Sequence, residues 1–348
     1  MKTLHILLLT ITISLATSVF AKTGGERLYY YIDDLACYNA FTAHIEQIDI
    51  VAPAMYNVDA DGIVWGSVDP RVLKLAKEHG VEVMPLIHNP GFNQEMLHDL
   101  LTNDVATKRM INSLVGECKK YGYKGIQFDF ENLSINDKDD FTKLFVATAK
   151  ALHKENFQLS IAVVHRPQEF PGPTQYFKWL HANWRAGYDL AALAKAGDFI
   201  SLMSYSQHTR RTPPGPNASI PWMKKNIEYF LKYVPANKLS LGIPVTTMHW
   251  YTEQDDEKYE VNARSWSASI SHEKAMGIVE RHNAKLHWIE DQGVDYTFFD
   301  NGGLFEYIFF ENGKSFERKL ALIPENKLRG FSIWVIGRED PQIWDHLK

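Results

Sequence analysis

The chain lacks any apolar run long enough to cross a bilayer. Its longest, Ile6 to Phe20, falls short of the roughly 20 residues a spanning helix needs. No later stretch approaches that length, so no integral membrane segment is expected in the mature chain. Cysteine is nearly absent: Cys37 and Cys118 are the only two, which excludes a disulfide-stapled scaffold and offers no spacing for a metal site. Cys118 falls on the apolar stripe Val105, Met110, Ile111, Leu114, Val115 of an expected helix, so it reads as a free, buried thiol. The fourteen histidines contain no H-E-x-x-H or comparable spacing, and no metal or cofactor is called for. Basic residues are not clustered and the formal net charge is −5, which argues against nucleic acid as a partner. There is no low-complexity tract.

What is present begins with a leader. Lys2 precedes the Ile6–Phe20 run, and Val19-Phe20-Ala21 has the small-residue pattern of a signal-peptidase site. Residues 1–21 are therefore read as a signal peptide, and the mature chain as secreted, periplasmic or extracellular. No cysteine stands at the cleavage point to carry a lipid. The remaining 22–348 segment alternates short apolar runs with amphipathic ones. Strands are expected at Leu28–Ile32, Ile48–Ala54, Val81–Ile87, Gly125–Glu131, Gln158–Val164, Phe199–Tyr205, Leu239–Val245 and Gly330–Ile336. Helices are expected at Pro70–His79, Asn103–Tyr121, Asp137–Asn156, Tyr188–Ala196 and Pro221–Tyr233. Eight strands with helices between them make an α/β chain of the (β/α)8 TIM-barrel class. The interval between Val245 and Gly330 is too long for one connection. A hairpin of Tyr296–Phe299 and Phe305–Phe310 around Asn301-Gly302-Gly303 falls inside it. A small α+β insertion at about 246–312, between strands seven and eight, is expected there.

The stretch around which the rest is arranged is Tyr123 to Asn132, YKGIQFDFEN. In an extended segment Ile126, Phe128 and Phe130 fall on one face and Gln127, Asp129 and Glu131 on the other. Helical runs bracket it, which marks a parallel strand buried on both sides, where ionisable groups are costly without a task. Residues two apart on one face sit about 6.5–7 Å apart at the backbone, so the two carboxyl groups can meet and share a proton. Sharing raises the pKa of one member and makes it a usable general acid near neutral pH.

The run GIQFDFEN resembles the fourth-strand signature of glycoside hydrolase family 18, D-G-x-D-x-D-x-E, with Gly125, Asp129 and Glu131 matching. Lys124 and Gln127 stand where the family has its first two aspartates. FISLMSYSQH resembles the sixth-strand motif M-x-Y-D, keeping Met203 and Tyr205 but placing Ser206 at the aspartate. LGIPV resembles the seventh strand, and in RGFSIWVIGRED Trp334 corresponds to the tryptophan that floors the sugar subsite. Within the family, the chain looks most like the branch of cell-wall hydrolases and chitobiases.

That resemblance implies a retaining glycosidase acting on β-1,4-linked N-acetylglucosamine, in chitin fragments or peptidoglycan, with no cofactor and as a monomer. Glu131 is the implied acid, Asp129 the group that orients the substrate's 2-acetamido group, and Tyr205 the donor to its carbonyl. Trp334, Gln127, Met203, Ser206, Tyr30 and Asn89 are implied as substrate-binding. Tyr30, Trp65, Trp179, Trp184 and Trp250 are further candidates for stacking on pyranose rings, with packing in the core or on the surface the equal alternative for each. The amide of Gln127 is expected to donate to Asp129 and hold it ionised. The competing reading is a sugar-binding protein on the same barrel that has lost catalysis. Retention of both Glu131 and Asp129 weighs against it.

Overall fold

The computed structural model describes residues 24–253 and 264–348; the leader at 1–21 lies outside them. Eight parallel strands close on themselves in chain order. They are Glu26–Tyr31, Ile50–Val58, Leu86–His88, Gly125–Asp129, Gln158–Val164, Phe199–Met203, Leu239–Pro244 and Gly330–Trp334, the last pairing with the first. This is the expected (β/α)8 barrel, with most strands ending one or two residues earlier than the apolar pattern suggested. The third strand is interrupted, Glu82–Val83 being separated from Leu86–His88 by Met84-Pro85. Proline has no N–H to give to a ladder. Its carbonyl still serves, accepting from Gln127 N–H at 3.0 Å, while Val83 accepts from Lys124 N–H at 2.8 Å.

Helix ends follow local chemistry. Pro70–His79 starts with proline in its first turn, is capped by Asp69 accepting from Arg71 N–H, and stops at Gly80 with φ of 71°. Asp104–Tyr121 is capped in the same way by Asn103 and closed by Gly122 at φ 69°. The Lys138–His153 helix covers the outside of the fourth strand. Phe128 meets Phe145, and Phe130 meets Phe141, both edge to face at 5.6 and 6.0 Å between ring centres. The oily face of the GIQFDFEN strand is thus spent on this helix, which leaves Gln127 and Asp129 facing the barrel interior.

Between the seventh and eighth strands lies a five-stranded antiparallel sheet with one helix, His272–Arg281, against it. Its central hairpin joins Val294–Asn301 to Leu304–Phe310 through Gly302 and Gly303, at φ 65° and 87°. Two consecutive residues at positive φ form the turn that suits the twist of a two-residue hairpin, and glycine fills both positions without strain. The helix Gly313–Leu320 carries the chain back to the barrel. There Lys319 and Glu311 form a fully buried ion pair, with Ser315 Oγ donating to the same carboxylate at 3.0 Å. Cys37 and Cys118 are both free and buried.

Gly125, the glycine of the fourth-strand signature, opens that strand where the fifth crosses closely. A Cβ built on it would lie 2.0 Å from the carbonyl oxygen of Gln158. The barrel backbones, not a turn, demand glycine here. Gly125→Ala should lower stability by about 1–3 kcal/mol, the usual range for overpacking, read as a shift in the denaturation midpoint. An unchanged midpoint would show that the strands can separate locally.

Candidate active site

The carboxyl ends of the strands open into a pocket of about 510 Å³ with Asp129 and Glu131 in its lining. Asp129 is the last residue of the fourth strand and only 9% exposed. Its Oδ1 is buried with no hydrogen-bond partner among the described residues. Burial raises its pKa, and burial followed by the charge of Asp129 raises that of Glu131 further. The expected coupling between the two is present, but it acts through charge: no hydrogen bond links the two carboxyl groups among the described residues. A carboxylic acid held protonated near neutral pH is what proton donation to a leaving group requires.

Glu131 stands two residues beyond the end of the strand, where a chain would ordinarily be loose. Side chains from neighbouring strand exits fix its backbone instead. Asn89 accepts from Glu131 N–H at 3.0 Å and donates to Glu131 C=O at 3.0 Å. Tyr188 OH donates to Phe130 C=O at 2.7 Å, and Gln94 donates to Asn132 C=O at 2.9 Å. Asn132, at φ 54°, gives its own amide to Phe92 C=O at 3.0 Å. Three consecutive residues centred on the acid are therefore held by side chains from elsewhere.

Two of the expected substrate contacts do other work. Asn89 is completely buried, with its amide committed to the backbone of Glu131, and so acts as a positioning residue. Gln127 faces the barrel interior as expected but is also completely buried, and its Nε2 donates at 3.1 Å to Ser201 Oγ rather than to Asp129. With its amide on the sixth-strand hydroxyl, Gln127 does not give Asp129 the hydrogen bond assigned to it from sequence. Gln127 Oε1 and Asp129 Oδ1 are both buried without hydrogen-bond partners among the described residues.

The other predicted residues do converge. Tyr30, Met203, Tyr205, Ser206 and Trp334 all line the pocket with the two acids. Tyr30 and Trp334 rings lie 5.5 Å apart, and the Trp334–Val335 peptide is cis. Burial, with the charges of Tyr30, Asp129 and Glu131 adding to it, holds the Tyr205 hydroxyl firmly protonated. Ser206, at φ 62°, is exposed, its N–H donating at 2.8 Å to Asn217 Oδ1. Of the aromatic candidates, Trp179 and Trp184 are in the wall. Trp65 is exposed elsewhere, and Trp250 is buried in the inserted sheet with its indole N–H on Gly215 C=O. Sequence reasoning missed Phe92, Tyr176, Phe177, His165 and Arg185, which also line the pocket. They belong to connections whose course no periodicity reveals.

A barrel with paired acids at its fourth strand, a tyrosine at its sixth and a tryptophan at its eighth defines a class of sugar-cleaving enzymes. Residues 27–339 match the model for glycosyl hydrolases family 18, and the chain belongs to that family. It is a glycoside hydrolase. Among similar proteins, the Bacillus subtilis glycosylase YvbX is 23% identical over 98% of both chains. The B. subtilis cortical fragment-lytic enzyme is 28% identical over 74% of this chain and 57% of its own length. The structure of a chitinase from Chromobacterium violaceum superposes with a TM-score of 0.81 at 24% identity, covering 93% of this chain and 98% of that one, which shows a shared fold.

Two measurements check the electrostatics and the clamp. Because the folded-state pKa of Asp129 lies above its unfolded value, its contribution to stability is complete below about pH 4 and is lost as pH rises through the folded value. Asp129→Asn removes that titration, so the melting temperature of the variant minus that of the wild type should rise between about pH 4 and 8; a flat difference would contradict the burial argument. Asn89→Ala should cut kcat by about 10-fold or more with little change in KM, since losing a buried partner of this kind is worth about 1–3 kcal/mol. A change confined to KM would return Asn89 to substrate contact.

Proposed function

We propose that this protein is a secreted retaining hydrolase of β-1,4-linked N-acetylglucosamine glycans that works by substrate-assisted catalysis. The observation that carries the reading is the convergence of Asp129 and Glu131, whose pKa is raised, with Tyr205 and Trp334 in one pocket. The Asp129 carboxyl there is the acceptor offered to a 2-acetamido N–H. Most retaining glycosidases use a second carboxylate as nucleophile, but family 18 enzymes use the acetamido group of the substrate. Names among the relatives, a chitinase and a cortical fragment-lytic enzyme, both point toward polymers of N-acetylated amino sugars.

Glu131 gives its proton to the glycosidic oxygen as the C1–O bond breaks, and the acetamido carbonyl oxygen forms the new bond to C1. Positive charge spreads over the resulting oxazolinium ring. Asp129 accepts the amide N–H more strongly as that charge develops, and the Tyr205 hydroxyl donates to the carbonyl oxygen and aligns it for attack. These contacts favour the transition state over the bound substrate, which is the condition for acceleration. Glu131, now ionised, takes a proton from water as that water opens the ring at C1, and configuration is retained. The aromatic rings of Trp334, Trp179 and Trp184 offer faces for the apolar sides of pyranose rings, while Tyr30, expected among them, is buried against Trp334. The expected leader and the polymeric substrates of the relatives support action outside the cytoplasm.

Glu131→Gln should keep the fold and ligand affinity while lowering kcat by about 10²- to 10⁴-fold on N-acetylglucosamine oligomers. Near-normal turnover would sink the assignment of the acid. A thiazoline analogue of the cyclic intermediate should inhibit competitively in the wild type, whereas a conventional two-carboxylate enzyme would ignore it.

A further inference from the structure

One wall of the pocket carries positive charge that no carboxylate among the described residues pairs with. Arg185, Arg210 and Arg211 all line it, and none forms an ion pair with a carboxylate among the described residues. Arg185 is the most constrained. It ends the wide helical turn His181–Arg185, and its guanidinium donates to His165 Nε2 at 2.6 Å. That partner brings no counter-charge: burial first, and the charge of Arg185 second, push His165 down to about 3, so it is neutral across the working range. Burial also draws Arg185 itself down to about 10. The neighbouring Arg166 already has its acid, Glu169, at 3.0 Å, and contributes only repulsion to Arg185. Arg210 and Arg211 extend from the loop after the sixth strand, with Arg211 5.8 Å from the centre of the Tyr176 ring in the same wall. The carboxyl groups of the pocket floor do not fill the role, since their ionisation is opposed where they stand.

A guanidinium withdrawn from water with only a neutral partner is costly unless an anion joins it when the site is occupied. Its planar fork fits a carboxylate at two points. A neutral homopolymer of N-acetylglucosamine carries no such group. We propose that the glycan this pocket selects is acidic, bearing a carboxylate on or beside an amino sugar near the cleaved bond. Arg185 is its direct counter-ion, and Arg210 and Arg211 draw it in. The lactyl ether of N-acetylmuramic acid supplies such a group, as does a peptide attached through that lactyl arm. The proposal rests on reading the pocket as a site for N-acetylglucosamine glycans and narrows it to the acidic ones.

The test uses the full-length mature protein and four oligomer series of equal length: N-acetylglucosamine alone, alternating N-acetylglucosamine and N-acetylmuramic acid with free lactyl carboxylates, the same with methyl-esterified lactyl groups, and the same with peptides attached. Affinity is measured by calorimetry in the Glu131→Gln protein, so the comparison stands even if no series is cleaved; failure of cleavage would count against the proposed chemistry and not against the acid preference. The free-acid or the peptide-bearing series should bind about 10- to 100-fold more tightly than the neutral one, the worth of a hydrogen bond to a charged group. Which of the two binds identifies the source of the carboxylate. Esterification should remove the advantage. Arg185→Gln should weaken the acidic series at least tenfold more than the neutral series, and Arg210→Gln/Arg211→Gln should flatten its salt dependence. Equal weakening of both series by Arg185→Gln would assign the arginine to holding His165 and the pocket wall, and would overturn the proposal. So would equal or weaker binding of the acidic series by the unaltered arginines.

Discussion

A buried carboxyl group, Asp129, and a half-buried one within reach of its charge, Glu131, set the terms for what surrounds them. In solution both would ionise at neutral pH. At the end of the fourth strand burial opposes ionisation of Asp129, and the nearness of Asp129 adds to the opposition at Glu131. Protonated carboxyl groups near neutral pH are gained at a cost in stability. Such a pair survives because the remaining structure is over-determined: a closed barrel has no free edge, and the outward face of the same strand is locked into a cluster of phenylalanines against the covering helix.

The departures from the family pattern bear on this pair unequally. With Gln127 in place of an acid there is no second inward carboxylate to exchange a proton with Asp129, and its amide bonds to Ser201 instead. Asp129 thus keeps an acceptor, Oδ1, without a hydrogen-bond partner among the described residues. Ser206 leaves the pocket rim without the negative charge of the family's aspartate, on the same loop that carries Arg210 and Arg211. Lys124 lies at the far end of the strand, where it pairs with Glu82 at 2.5 Å and touches nothing of the site.

Much of this was legible in the sequence because it depends on short-range rules. Alternation along GIQFDFEN told which side chains face inward, and apolar periodicity bounded two helices, Pro70–His79 and Asp104–Tyr121, to the residue or nearly so, at ends that Asp69, Gly80, Asn103 and Gly122 cap. The hairpin around Gly302-Gly303 was visible for the same reason: only glycine fits two successive positive φ angles easily. What failed was long-range. Nothing near Asn89 says that it will grip the backbone of a residue 42 positions later, and nothing near Gln127 says that Ser201 will be its partner. The pocket wall was illegible for a different reason. Residues 165–185 carry no sustained apolar period, so Tyr176, Phe177 and Arg185 could not be placed on any face before the chain was seen folded.

The clamp on Phe130, Glu131 and Asn132 draws on strand exits and on Tyr188, where the excursion after the fifth strand returns to the barrel. The arginine-bearing wall of the pocket is made by that excursion and by the loop after the sixth strand. The proposed acid and the wall proposed to select the glycan thereby lie on separate stretches of chain. Such a division lets a lineage, or an engineer, rewrite the wall for a new polymer while the proton donor stays where it is, and it gives a reason why one barrel can serve glycans as unlike as chitin and the spore cortex.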